Sequence, residues 1–330
     1  MDERNRLPEQ TRAADLTGAP DSLPVLAEPM PRDRHPVAVY LASLSASGRR
    51  TMAQALGHCA GLLSGGAADA ESLDWSRVRY QHVAALRTLL VEEGKRAATV
   101  NKELCAVRRV LRECWRLGLM TAEDYHRCAD VEGVKARTVP KGRMLTADEV
   151  ARLKDVCDPS APAGVRDCAM LGLLARGGLR RAEAVALDVG DFTDGPEGGT
   201  LLVRAGKGNK ERLVPVANGT LQAVRDWIAV RGDEPGPLLL PTKKGGKVEH
   251  RRMTAHAVYL RLQFLAKRAG VLDFTPHDLR RTAGSEMLDA GADLSVVADL
   301  LGHSSVDVTR RSYDRRGERA ARRAASLVRF

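Results

Sequence analysis

The sequence predicts a mainly α protein of two domains, an N-terminal helical bundle followed by an α+β domain with a small antiparallel sheet. Three observations carry this expectation. Apolar residues recur at helical spacing over most of the chain. A basic stretch bearing glycine and proline, ADVEGVKARTVPKGR at 129–143, interrupts that pattern near the middle. Beyond it a single strand–turn–strand pattern, Thr200 to Arg204 and Arg212 to Val216 around the glycine-rich Ala-Gly-Lys-Gly-Asn-Lys, breaks the helical run.

Residues 1–33 carry five prolines and many charges, and they read as a flexible tail. Residues 34–130 form the first domain. Val37, Tyr40, Leu41 and Leu44 make one apolar stripe, and Val78 to Val91 another. Val100 to Leu117 makes a third, with Leu104, Val107, Leu111 and Trp115 on one face. Lys102, Arg108, Arg109 and Arg112 interleave with that last stripe and give the bundle a positive side. An ordinary solvated helix face accounts for them equally well at this point. Residues 131–143 are the linker, and 144–330 the second domain, which Thr146 and Glu149 open as a capping box.

Lys and Arg number 52 against 42 acidic residues in 330, a formal net charge of +10. That balance favours a polyanionic partner. No apolar run approaches the about 18 residues of a spanning helix, and the first thirty residues lack the apolar core of a signal peptide. A cytoplasmic, nucleoid-associated protein acting on nucleic acid is therefore expected, with no membrane partner. The six cysteines form no C-x-x-C pair. Cys114, His126 and Cys128 are wrongly spaced for a zinc finger, so reduced thiols and no metal are expected. Aromatics make up 4% of the chain, too few for recognition by base stacking.

Four segments of the second domain hold candidate chemistry. In GLRRAE, the glycines at 177 and 178 end a helix and a new one starts near Leu179. Arg180 and Glu183 then share a face; the guanidinium suits a phosphate, but a surface ion pair is the more common explanation of this spacing alone. In GKGNK, flanking glycines leave Lys207 unobstructed at the hairpin tip, with Lys210 beside it. In TPHDLRR, Thr275 caps a helix and Pro276 suits its first position, which brings His277 and Arg280 to one side of a helix N-terminus. Arg281 follows as a candidate DNA contact. Leu294, Val297, Ala298 and Leu301 make a short helix that Gly302 ends; His303 follows, and a further helix starts at Ser304 and Ser305 and carries Tyr313.

Each segment alone is weak, but their order is specific. GLRRAEAVAL, GKGNKERLVPV, TPHDLRRTAGS and LLGHSSVDVTRRSYDRR resemble, in sequence, the first arginine motif, hairpin lysine motif, His-x-x-Arg motif and His-to-Tyr segment of tyrosine recombinases, the phage integrase family. The resemblance spans about residues 145–316, and the helical first domain is similar, more loosely, to the family's core-binding domain. It implies a SAM-like core-binding bundle and a catalytic domain of the DNA breaking-rejoining type, together forming a clamp on DNA. It implies site-specific recombination through a 3′-phosphotyrosine intermediate, without metal or nucleotide. The implied catalytic set is Arg180, Lys207, His277, Arg280, His303 and Tyr313, with Glu183 in support. The implied partners are double-stranded recombination sites, a homotetramer on two duplexes, and an accessory or partner recombinase. The segment from His303 to Tyr313 is one residue longer than the family pattern, with Ser312 the extra position. Two alternatives stay open: a DNA-binding protein on the same scaffold without catalysis, and a type IB topoisomerase. The tail from Gly317 to Phe330, apolar residues among arginines, is expected to pack on a neighbouring subunit.

Overall fold

The computed structural model describes residues 23–135, 142–204, 211–303 and Ser305. Lys207, Lys210, Tyr313, the Ser312 insertion and the tail from Gly317 to Phe330 lie outside the described residues. The chain divides into two compact units, Met1–Val139 and Pro140–Phe330. Among the described residues there are twelve α-helices and one three-stranded sheet.

The first unit holds α1 (Pro36–Ala42), α2 (Ala46–Leu63), α3 (Tyr80–Glu92), α4 (Ala97–Arg116) and α5 (Ala122–Ala129). The starts follow local chemistry. Pro36 sits in the first turn of α1, Ser45 caps α2 and Thr121 caps α5. α4 buries Val100, Leu104, Val107, Val110, Leu111 and Cys114 in the bundle core. Trp115, expected on that buried face, is 38% exposed and stacks on Tyr125 at 5.4 Å instead. Residues 23–26, expected in the tail, belong to the bundle. Leu23 is buried, the Leu26 N–H donates to Ser72 O at 2.8 Å, and Val25 bridges Leu73. Prolines 24 and 29 prevent a helix there, but an extended segment still pairs. The Cys128 thiol donates to Val78 O, and the His126 ring lies tilted against Tyr125, 5.1 Å between centroids.

The second unit holds α6 (Ala147–Asp155), α7 (Pro162–Ala175), α8 (Arg181–Ala186), β1 (Phe192–Gly195), β2 (Gly198–Val203), β3 (Arg212–Val216), α9 (Asn218–Arg231), α10 (Ala255–Ala269), α11 (Pro276–Asp289) and α12 (Leu294–Leu301). The Thr146–Glu149 capping box is formed in both directions, at 3.1 and 2.9 Å. The strand order is β1-β2-β3, all antiparallel, with Leu201 opposite Val214 and Val203 opposite Arg212. β1 has no signal in the sequence, because Phe-Thr-Asp-Gly is too short and polar to alternate; it forms by pairing with β2.

α7 is the central helix of this unit. Met170, Leu173, Leu174 and Ala175 are buried in its core, and Gly172 lies where a Cβ would come within 2.9 Å of Thr220 on α9. That close approach needs a glycine. α11 and α12 also pack against one another, and α11 against α7. The hydrophobic effect holds these helices, and the loops at their ends bring the charged residues together.

Candidate active site

α7 ends at Ala175, and Gly178 turns the chain with φ +62°, where a Cβ would fall 2.5 Å from the Leu301 side chain. Only glycine gives both the left-handed backbone and that contact. The turn delivers Arg180 as the N-cap of α8, one or two residues later than the start expected at Leu179. Glu183, in the first turn, accepts from the Arg180 backbone N–H at 2.9 Å and from its Nη1 at 2.6 Å. Glu183 is therefore buried beneath the arginine, not paired with it at the surface.

α11 opens as the sequence predicts, with Thr275 at the cap and Pro276 in the first turn. Asp278 makes the cap. Its carboxylate accepts from the Thr275 N–H and hydroxyl, at 2.9 and 2.8 Å, and from the Arg143 N–H at 3.1 Å. Arg281, expected as a DNA contact, is buried and ion-paired with Asp278 at 3.2 Å, so its guanidinium is directed into the fold. His277 is exposed at the same helix start. Arg280 is 1% exposed. Its Nη1 donates to Gly178 O at 2.7 Å and its Nη2 to Leu301 O. Arg180 Nη2 donates to Gly302 O at 3.0 Å. Three backbone carbonyls from two glycine turns thus fix both guanidiniums. A guanidinium carries five N–H groups, so Arg180 can be anchored in this way and still receive a phosphate.

Arg180, Arg181, Tyr259, Thr275, His277 and Arg280 line one open cleft of about 450 Å³. Arg181 lies over the Tyr259 ring, 6.0 Å from its centroid. His303 follows the α12 C-terminus, where Gly302 takes φ +61°. Loss of solvent around the imidazole, and then the charges of Arg280, Arg180, His277 and Arg212 in that order, together lower its pKa to about 4. His277, which is exposed but lines the cleft wall, is also lowered, by that partial loss of solvent first and then by the charges of Arg281 and Arg280. Both rings are thus neutral at pH 7 and surrounded by fixed positive charge, which is the field an anion would find.

His303 therefore carries a pH signature. Its folded pKa lies below the unfolded value, so charging it opposes folding. Its share of stability is complete above pH 6.5 and is lost as the pH falls from 6.5 towards about 4. Ring-proton NMR is expected to find His303 neutral at pH 7 and titrating below pH 5, and Arg280→Met should raise that midpoint. A midpoint near 6.5 in the wild type would contradict the cationic environment.

Four of the six candidate catalytic residues, together with Glu183, converge from α8, α11 and the α12 C-terminus. Lys207 and Tyr313 lie outside the described residues. In the first unit, Lys102 and Arg109 are exposed on α4 and Arg112 is partly so. Arg108 turns back and donates to Val131 O. Sequence reading missed Arg212, which donates to Glu183 Oε2 at 2.8 Å and Oε1 at 3.2 Å. A signal was there: Arg212 shares a strand face with Val214 and Val216, and an inward arginine needs a carboxylate.

The family model described as "Phage integrase family" matches residues 143–318. The chain belongs to the phage integrase family. Among relatives of this integrase-family chain, tyrosine recombinase XerC of Haemophilus ducreyi is 33% identical over 244 residues, 72% of this chain and 74% of the relative. XerC of Xanthomonas axonopodis pv. citri is 34% identical over 231 residues, covering 68% and 71%. The protein is a tyrosine recombinase, an enzyme of site-specific DNA recombination. A lambda integrase dimer bound to a COC′ core site superposes with a TM-score of 0.63 at 17% identity, over 86% of this chain and 94% of the other. The Tn1549 transposon integrase with circular intermediate DNA gives 0.61 at 19%, over 84% and 94%. At these identities the likeness to this recombinase is one of fold, a helical protein with a small antiparallel sheet.

Proposed function

We propose that this recombinase cleaves and rejoins duplex DNA at specific sites through attack of Tyr313 on the scissile phosphate. The observation that carries the proposal is the convergence of Arg180, His277 and Arg280 on one cleft, with His303 within their field. The Tyr313 oxygen forms a bond to phosphorus, and the bond to the 5′-oxygen breaks. A 3′-phosphotyrosine and a 5′-hydroxyl result. The hydroxyl of a second duplex then attacks the linkage and releases the tyrosine. Phosphodiester energy is kept in the covalent bond, so neither nucleotide nor metal enters the proposed steps.

Negative charge accumulates on the non-bridging oxygens as the nucleophile adds. Arg180 and Arg280 meet those oxygens, and His303, neutral at pH 7, donates a further hydrogen bond. The ordinary pKa of tyrosine is about 10, so its proton must leave during attack. His277, neutral and at the cleft wall, is the base for it. Lys207 protonates the leaving 5′-oxygen. Glu183 orients Arg180.

The reaction uses four copies of this chain on two duplexes, and an accessory recombinase is compatible with it. Lys102, Arg109 and Arg112, along the outer side of α4, together with Lys210, contact backbone phosphates, so affinity falls steeply with salt. The enzyme works at the nucleoid in the cytoplasm; no helix among the described residues is long and apolar enough to cross a membrane.

The test is a plasmid bearing two copies of the site that the wild-type protein selects from random-sequence DNA. With EDTA present and ATP absent, inversion or resolution products are expected. Relaxed circles without recombinants would favour a topoisomerase, and binding without cleavage would favour the non-catalytic scaffold.

A further inference from the structure

Arg212 is the first residue of β3. Val214 and Val216 are buried in that strand while Leu213 and Pro215 are exposed, so Arg212 shares the inward face. There its guanidinium makes a fork. Nη1 and Nη2 reach the two Glu183 oxygens at 3.2 and 2.8 Å, and Nε donates to Leu300 O at 2.8 Å. Glu183 holds Arg180 through two further hydrogen bonds, and Arg280 Nη1 lies 3.8 Å from Oε2. The chain after Leu300 supplies Leu301 O to Arg280, Gly302 O to Arg180, and then His303. Gly302 belongs to the same seat: a Cβ there would fall 2.9 Å from Arg212 Nη1.

We infer that Arg212 is a positioning residue for strand cleavage, tying the Glu183 carboxylate, and through it Arg180, to the Leu300–His303 turn that presents His303. The inference rests on the proposed recombinase reading and adds a residue to it. Arg212 sets the spacing between the Arg180 side and the His303 side of the cleft, because one rigid fork touches both. It also offsets the Glu183 charge. Without it, the carboxylate would face Arg180 and Arg280 alone and compete with the phosphate for them. Burial pushes the Glu183 pKa up, but hydrogen bonds from Arg212 and Arg180 hold it below the usual carboxylate range. A lysine keeps the charge but cannot donate to Glu183 and Leu300 from one planar group. Geometry and charge thus separate in the variants.

The experiment uses the full chain and a nicked duplex carrying the selected site, from which cleavage releases a short fragment. Single-turnover adduct formation at saturating protein, Kd on the same duplex, and Tm are measured for wild type, Arg212→Met and Arg212→Lys. For Arg212→Met, a Kd within about threefold of wild type and an adduct rate about 100-fold lower are expected. Arg212→Lys should keep a Tm near wild type and lose about tenfold in rate at unchanged Kd. A wild-type rate in Arg212→Met, or rate and affinity falling together, overturns the inference. If Arg212→Met does not fold, the lysine variant decides: a wild-type rate overturns the inference, and a slowed rate at unchanged Kd supports it. Failure of the wild type itself to form an adduct would instead sink the recombinase reading.

Discussion

Tyr313→Phe is expected to remove strand cleavage while leaving site binding within about twofold, because the lost atom acts only in the reacting state. The substitution keeps the ring and deletes the one oxygen proposed to bond to phosphorus. Loss of a covalent nucleophile costs on the order of 10⁴-fold or more in rate, and the remaining charges cannot replace it. Among the described residues the cleft does contain a phenol. Tyr259 lines the same wall as Arg180 and Arg280, with Arg181 over its ring. If Tyr259 were the nucleophile, Tyr313→Phe would cleave normally and Tyr259→Phe would not. Single-turnover cleavage of the nicked duplex by the two variants separates them.

Arg280→Met is expected to lower the cleavage rate by about 10²- to 10³-fold, the usual loss when one preorganised donor to a developing oxyanion is removed. Its second effect is on stability. Arg280 is almost wholly buried, bonded to Gly178 O and Leu301 O and close to the Glu183 carboxylate. Methionine fills much of the volume but leaves those two carbonyls without this donor and removes one of three cations around Glu183. A loss of about 3 kcal/mol in folding free energy follows from breaking a buried charge network, read as a lower denaturation midpoint at unchanged m-value. Arg280→Lys restores charge but cannot span both carbonyls, so its rate should stay nearer to the methionine variant than to wild type. A lysine variant with wild-type cleavage would show that only the charge matters.

The sequence made the outline of this fold readable because its signals are local. Thr146 with Glu149, and Thr275 with Pro276, announce helix starts from spacing alone, and both are formed. Gly302 ends α12 where the apolar period stops. The order of Arg180, His277, Arg280 and His303 was legible as a set of motifs, and the fold brings these residues together. What escaped reading depends on tertiary placement. β1 exists only because β2 pairs with it. Trp115 belongs to an apolar period yet lies at the edge of the bundle, where Tyr125 covers it. Arg281 sits next to Arg280 in a basic run, but one step around α11 turns it towards Asp278 and away from the surface. Arg212 is the clearest case. Its strand was predicted, yet its partners lie 29 residues before it at Glu183 and 88 after it at Leu300. Its strand face signals an inward arginine in need of a carboxylate, but no local pattern says which one.

The proposed chemistry joins Tyr313 covalently to DNA at a phosphate held by Arg180 and Arg280. It is tested most directly by trapping wild-type protein on the nicked duplex, digesting both polymers, and locating the nucleotide by mass spectrometry. The expected adduct is a nucleotide 3′-phosphate on the peptide containing Tyr313. A nucleotide mapped to Tyr259 or to any residue other than Tyr313, or cleavage that leaves no protein-linked nucleotide, would contradict the account.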